Sequence, residues 1–395
     1  MRASVPSHKA GARRPIITLR SALDIAAFAV MPAAFLLGLV HWTMYAFDFA
    51  AFWQAGRDVL DGVSPYAGEI SAERFAAALR DTQEATNTFG FVYPAPAALA
   101  MTPLALLPLP VATGVFTAII LASVPLTLRV LGVRDWRCYG AVFLWVGVLT
   151  PIGIGSLTPL LALGLALVWR YRSRPSVLAP VLAATVVLKL FLWPLLVWLL
   201  ATGRKGSAFA TAAAGAAATL GSWWVLGFAG FADYPRLVDT LASTIQEQSF
   251  SAVALGLSLG LSEGLAQLAS LAGGAALLAW MFALARREDG DRLAFTVAIA
   301  ASLVLTPLVW DHYAMLIVVP LAIARPRLTA LWLVPLGLWT TSGLSHGETW
   351  RILVTLGVTA FVLWASARPE AAGWELLRRR PVSLRRTEPS PATAG

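Results

Sequence analysis

Long apolar runs separated by short basic turns set the pattern of this chain. Arg2, Lys9, Arg13, Arg14 and Arg20 precede the first run, which extends from about Leu23 to Phe47. That run is longer than the apolar region of a cleaved signal and lacks a small-residue cleavage site, so it reads as a retained signal anchor whose N-terminus is cytoplasmic. The later runs suit helices of roughly 20 residues, the length that crosses a hydrocarbon core of about 30 Å. No ten-residue alternation of a membrane β-barrel is visible. The pattern predicts an all-α polytopic integral membrane protein.

Placing every basic turn on one side of the membrane threads the chain. The first span runs outward and leaves a polar segment, residues 47–93, as a large first extracytoplasmic loop. The proline-rich stretch at about 94–109 is expected to be short or re-entrant, and 110–129 to be the true returning span. Residues 139–154 go out and 157–169 return. A single helix over 176–203 would strand Arg204 and Lys205 outside, so the pattern predicts a break near Lys189 and Pro194. Beyond it, 207–231 runs outward, 232–252 is an external loop, and a helix ending at Arg286/Arg287 returns. Residues 292–309, 313–324, 328–344 and 350–367 complete about 10–12 spans. Asp48, Glu247, Asp311 and His346 then share the outer face. Three regions result: a basic cytoplasmic segment over 1–20, a transmembrane domain over 21–367, and a tail over 368–395 too poor in apolar surface to fold, whose expected role is attraction to anionic lipid.

Composition agrees with this picture: 58% of the 395 residues are hydrophobic, 13% are charged, and the mean hydropathy is +0.71. Too little polar surface is available to cover a soluble globule. The formal charge of +9 raises the question of a nucleic-acid partner, but the basic residues stand in clusters between apolar runs. That is the positive-inside signature, and no exposed basic face with interleaved aromatics is present. Nucleic acid is therefore not an expected partner. The lone Cys138 excludes an internal disulfide and a cysteine-based metal site.

The candidate chemistry lies at the ends of the runs. Asp48 opens DFAAFWQAGRDVLDGVSPY; lipid and Phe47, Phe49, Phe52 and Trp53 would desolvate it, raising its pKa and suiting it to accept a proton from a hydroxyl. The same residue type is also a common helix N-cap. Arg57 falls at helical spacing from Asp61 and reads equally as a surface pair or a ligand contact. A lysine inside an apolar run costs about 2.5–3.5 kcal/mol on insertion scales, so Lys189 is either functional or snorkels toward the headgroups. Asp311 and His312 sit where two runs meet. His312 can share a proton with a phosphate or with a carboxylate such as Asp48; the alternative is a helix cap by Asp311 beside a solvated His312. Tyr66 and Tyr93 belong to Pro/aromatic turns that serve as interfacial anchors or as substrate platforms. No HExxH, paired-histidine or Walker sequence is present, which points away from zinc and from nucleotide hydrolysis.

In order, DFAAFWQAGRDVLDGVSPY, FVYPAPAALAMTPLALLPLP, GSLTPLLALGLALVWRYRSRP, LKLFLWPLLVWLL and LTPLVWDHYAMLIVVP resemble the GT-C glycosyltransferases of family 87, the polyprenol-phosphate-mannose-dependent mannosyltransferases. The resemblance covers about residues 45–325. It implies a GT-C-type fold and transfer of a sugar, mannose first, from a polyprenyl-phosphate donor to a glycolipid or envelope glycan acceptor. The transfer would invert the anomeric centre, at the outer face of a bacterial cytoplasmic membrane, with no cofactor and no metal. Asp48 matches the expected general base, and Lys189 and His312 stand at positions matching the phosphate's partners. Tyr93 and Tyr66 would shape the pocket, with Arg57 and Asp311 as further substrate contacts. Departures from the family pattern are Gly155-Ser156 in place of Gly-Gln, Glu247-Gln248-Ser249 in place of Asn-Gln-Ser, and a displaced second proline in Tyr93-Pro94-Ala95-Pro96. They bear on the sugar and acceptor more than on the reaction class. The rival readings are a lipid or glycolipid flippase and a non-catalytic scaffold, neither of which needs the carboxylate of Asp48.

Overall fold

A computed structural model describes residues 19–41, 46–66, 91–343, 345 and 347–368. Most of the basic N-terminal segment, residues 67–90 of the first loop, His346 and the tail from 369 onward lie outside the described residues. Every regular element among the described residues is helical.

Helix α1 comprises Leu19–Ile25 and Met31–His41, joined through a π-helical turn at Ala26–Val30. It lies at the periphery with few buried residues. It approaches the bundle at Gly140, where a side chain would collide with the Phe28 carbonyl; small residues allow such close backbone contact between membrane helices. The polar segment then forms α2, Phe47–Leu60, so Asp48 belongs to the start of a second helix. α3, Ala95–Ala105, contains Pro103 and packs on α2, and α4, Leu109–Val130, is a 22-residue apolar span. A short proline-bearing helix followed by a full span is what the sequence pattern predicts there.

The next span is bent. α5, Trp136–Val142, and α6, Val146–Ile154, meet at 63°, so the run expected as one element over 139–154 starts earlier and breaks in the middle. α7, Thr158–Arg170, returns. α8, Pro175–Leu188, ends at Lys189; a 3-10 turn over Leu190–Leu192 precedes α9, Pro194–Ala201. Pro194 starts the new helix because its fixed φ suits a first turn and its missing N–H would be unpaired there anyway. α10, Lys205–Val225, goes back, and the segment expected as an external loop contains the amphipathic helix α11, Tyr234–Ile245. α12, Ala252–Ser258, α13, Glu263–Leu284, and α14, Gly290–Leu305, follow. A 3-10 segment over Asp311–Ile317 runs into α15, Val318–Ala324. Residues 330–332 and 334–341 are 3-10 turns where a regular span was expected, and α16, Thr349–Ala367, closes the described chain.

By length and composition α1, α4, α13 and α16 are each able to cross a membrane alone, and the bent α5–α6 pair adds a fifth where it is counted as one broken span. The shorter apolar helices supply the remaining layers. The protein is an all-α polytopic membrane protein.

Polar contacts tie the basic turns together at one end. Arg137 pairs with Asp24 of α1 at 3.4 Å and with Asp135 at 2.9 Å, and Asp135 also accepts from the Leu328 N–H at 3.1 Å. Arg325 donates to the Arg368 carbonyl and Arg292 to that of Ser366. Asp291 gathers Arg172 at 3.0 Å and Arg204 at 2.7 Å. The turns after α4, α7, α9, α13, α15 and α16 are therefore neighbours, as the threading requires.

Tryptophan usage departs from a simple interfacial belt. Trp145, Trp198, Trp223 and Trp332 are buried. The indoles of Trp145 and Trp332 donate to the carbonyls of Trp332 and Arg325, which satisfies the polar atom of a large core side chain. A second apolar cluster, with Phe49, Phe52, Tyr66, Phe91, Phe116 and Trp223, packs under α2 and α3 at the opposite end from the basic turns.

Candidate active site

Asp48 is set in place by its helix. The residue that caps α2 is Ala46, with no side-chain cap, so Asp48 is not the N-cap but a first-turn residue whose charge suits the positive end of the helix dipole. The turn between α6 and α7 lies against it. Gly155 there has φ +73°, and a Cβ on it would stand 2.6 Å from the Cβ of Phe49 and 3.2 Å from that of Ala46. Only glycine accepts both that backbone and that approach. The next residue, fully buried Ser156, stands near enough to the Asp48 carboxylate to favour its charged form, and its hydroxyl lies 3.2 Å from that of Thr158. From the other side the Tyr93 hydroxyl donates to Asp48 Oδ2 at 3.4 Å, a long contact. Burial pushes the Asp48 carboxyl above its ordinary value, against the opposing pull of His312 and Lys189 and of the Tyr93 and Ser156 hydroxyls.

Lys189 occupies the break between α8 and the following turn, in an extended conformation with φ −155° and ψ 99°. Its ammonium lies 4.2 Å from the centre of the Tyr313 ring and 5.3 Å from that of Tyr93. Two aromatic faces thus partner the cation. Tyr313 is itself stacked on Phe191, with centroids 4.9 Å apart and planes within 7°. The lysine is held by the protein near Asp48, which feels its charge.

Asp311 and His312 are buried, at 9% and 5% exposure, which rules out a solvated pair. Asp311 does not cap the segment it begins. Its Oδ2 accepts from Thr150 of α6 at 3.2 Å, and its Oδ1 lies 3.6 Å from His312 Nδ1. Gly147 of α6 packs against the Asp311 carbonyl, where a Cβ would come within 3.2 Å. The Nε2 atom of His312 is buried and has no hydrogen-bond partner. An orphaned imidazole nitrogen carries a desolvation cost of about 1–3 kcal/mol unless a ligand or water meets it. Gln248 Oε1 is a second such atom, on a segment tied to this region by the Phe250 N–H donating to the Val309 carbonyl at 2.7 Å.

Asp48, Tyr93, Lys189 and His312 therefore come together, with Asp311 behind the histidine. Arg57 does not join them: two and a half turns along α2 it faces outward and pairs with Asp61 at 3.6 Å. Tyr66 supports the site from below. It is buried among Phe91, Trp223 and Tyr234, and its hydroxyl donates to the Tyr93 carbonyl at 2.6 Å. Burial raises its pKa, in keeping with a neutral structural phenol. Ser156, Tyr313 and Thr150 complete the arrangement, though the sequence reading assigns them no role. Ser156 is itself a departure visible in sequence, standing where the family pattern has glutamine after Gly155, but Thr150 lies in an apolar helix and carries no local signal.

The sequence model of glycosyltransferase family 87 matches residues 91–310, more than half of the chain. This chain belongs to glycosyltransferase family 87. No match is found among curated proteins or among solved structures. The family 87 match includes Tyr93, Ser156 and Lys189 of the cluster, while Asp48 and the Asp311–His312 pair flank it. The protein is thus a polytopic membrane glycosyltransferase. Among the described residues no group of three or more His, Cys, Asp or Glu side chains gathers as metal ligands would.

Proposed function

We propose that this family 87 glycosyltransferase moves mannose from a polyprenyl-phosphate donor to a hydroxyl of a glycolipid or envelope glycan, with inversion. The observation that carries the reading is a partly buried carboxylate beside two cationic or proton-bearing groups, Lys189 and His312, one of them with an unpartnered ring nitrogen. The cluster lies at the end of the bundle away from the basic turns. With those turns in the cytoplasm, it faces the outer side of a bacterial cytoplasmic membrane, where nucleotide sugars are absent and a lipid-phosphate sugar is the matching donor chemistry.

In this scheme the acceptor oxygen attacks the anomeric carbon from the face opposite the phosphate. A new carbon–oxygen bond forms as the bond to the phosphate oxygen breaks, and that oxygen keeps the electron pair. Asp48 takes the hydroxyl proton. A base with a raised pKa suits the task, since proton transfer is most effective when the pKa lies near the working pH. The leaving phosphate gains charge, which the Lys189 ammonium and a proton on His312 Nε2 meet in a water-poor site; fixed donors of this kind commonly supply a large share of catalysis. Asp311 holds His312 through Nδ1, and Thr150 holds Asp311. Tyr93, with Tyr66 beneath it, lines the sugar side. Neither metal nor cofactor takes part.

The test is transfer by purified protein in nanodiscs supplied with radiolabelled polyprenyl-phosphate-mannose and a membrane lipid extract, wild type beside Asp48→Asn. Label is expected in a new lipid with wild type, and turnover is expected to fall about 10²–10⁴-fold in the variant while donor binding persists. Wild-type turnover by the variant would remove Asp48 as the base. Movement of labelled donor between leaflets without covalent transfer would instead support the flippase.

A further inference from the structure

The basic end carries a cavity of about 510 Å³ between the α4–α5 turn and the turn after α15. Its charged lining is Arg134, Asp135, Arg137 and Arg327, with Trp136 and Pro326 beside them. The charges are not equivalent. Asp135 is fully committed: it caps α5 by accepting from the Arg137 N–H at 3.2 Å, grips the Arg137 guanidinium at 2.9 and 3.0 Å, and accepts from the Leu328 N–H at 3.1 Å. Burial works against its charge, but these bonds outweigh it and hold the carboxyl below its ordinary value. The last bond fixes the two walls of the cavity to each other.

Arg137 is neutralised by Asp135 and Asp24. Arg134 and Arg327 are exposed and, among the described residues, have no ion-pair or hydrogen-bond partner. Trp136 is 45% exposed at the mouth. A recess with two guanidiniums that no described residue neutralises and an amphipathic aromatic, directly below the end of the span α4, matches the phosphodiester headgroup of a lipid. Its volume is in the range of small-ligand sites, and guanidinium forks bind phosphate oxygens in pairs. The tryptophan suits the level of the glycerol backbone.

We propose that this cavity binds the headgroup of an anionic phospholipid from the leaflet at the basic end. The site is separate from the sugar-transfer cluster and does not depend on the donor being polyprenyl-phosphate-mannose. Bound lipid bridges the two turns that Asp135 links through the Leu328 N–H, so it fixes the basic end in the membrane.

Native mass spectrometry of the full-length protein tests this, using phosphatidylglycerol and phosphatidylcholine of matched chains. Wild type is compared with Arg134→Gln/Arg327→Gln and with Arg286→Gln/Arg287→Gln, which removes equal charge from an exposed turn outside the cavity. Wild type is expected to retain phosphatidylglycerol over phosphatidylcholine. The cavity variant should lose that preference by about 30-fold, from two basic residues of ordinary worth at an anionic surface, and the control should keep it. Equal loss in both variants, or no preference in wild type, overturns the proposal. So does displacement of the lipid by millimolar glycerol phosphate, since the cavity would then be a site for soluble phosphate. Arg327→Glu alone gives the same reading where the double variant does not purify.

Discussion

Replacing Gly155 with alanine probes how the candidate base is held. Two effects add. The left-handed conformation, φ +73°, costs a non-glycine residue about 1–2 kcal/mol. The new Cβ also stands 2.6 Å from the Phe49 Cβ, and ordinary contact needs about 3.4 Å, so the start of α2 must retreat by roughly 0.8 Å (3.4 − 2.6) in a tightly packed interior. Phe49 is flanked by Asp48, which moves with it. A displacement near 1 Å can cost about 10²-fold in rate, so turnover in the radiolabel assay is expected to drop about 10- to 100-fold. Gly203→Ala is the control. Gly203 has φ +78° with nothing within 4 Å of the added Cβ, and it lies at the basic end. It pays the backbone term alone and should lose stability in a detergent thermal melt while keeping its turnover per folded molecule. Wild-type turnover by Gly155→Ala, with the same loss of melting temperature as Gly203→Ala, would refute the idea that this glycine seats the base.

The other predictions concern charge and pH. Burial raises the Asp48 pKa above 3.8, so turnover is expected to fall as pH drops through the raised value, when the base becomes protonated, and Asp48→Asn should abolish that acid limb in a pH–rate profile. Stability moves the other way: the folded state binds the proton more tightly than the unfolded chain between 3.8 and the raised value, so this group's contribution falls as pH rises through that window. Ser156→Ala removes a hydroxyl whose presence favours the carboxylate; the acid limb should shift to higher pH while the melting temperature barely changes, and an unmoved profile would show that Ser156 does not influence the reacting base. Asp291→Ala leaves Arg172, Arg204 and the Trp198 indole without their shared acceptor. The pairs are partly exposed, so a loss of about 1–3 kcal/mol is expected, read as a lower melting temperature with turnover per folded molecule preserved.

Hydropathy alone determined the class of this protein, because transfer of a 20-residue apolar segment into lipid depends on its own composition and length. The break at Lys189 and Pro194 was legible for the same local reason: two basic flanks and a proline forbid one continuous span. The grouping of the basic turns followed from parity. What stayed hidden was whatever depends on neighbours distant in sequence. The 63° bend inside α5–α6, the 3-10 turns over 330–341 and the helix over 234–245 arise from packing that no local period encodes. Asp48, Lys189 and His312 were each visible as ionisable residues in apolar surroundings, but each had a bland alternative, and Arg57 read equally as a surface pair or a ligand contact. Tertiary structure decided among these by contact. It set Asp48 against Gly155 and Ser156, placed Lys189 over two rings, buried His312 with one nitrogen unpartnered, and left Arg57 on the surface with Asp61. A charge's local sequence fixes its desolvation cost in the bilayer, whereas its partners are fixed only when the helices pack.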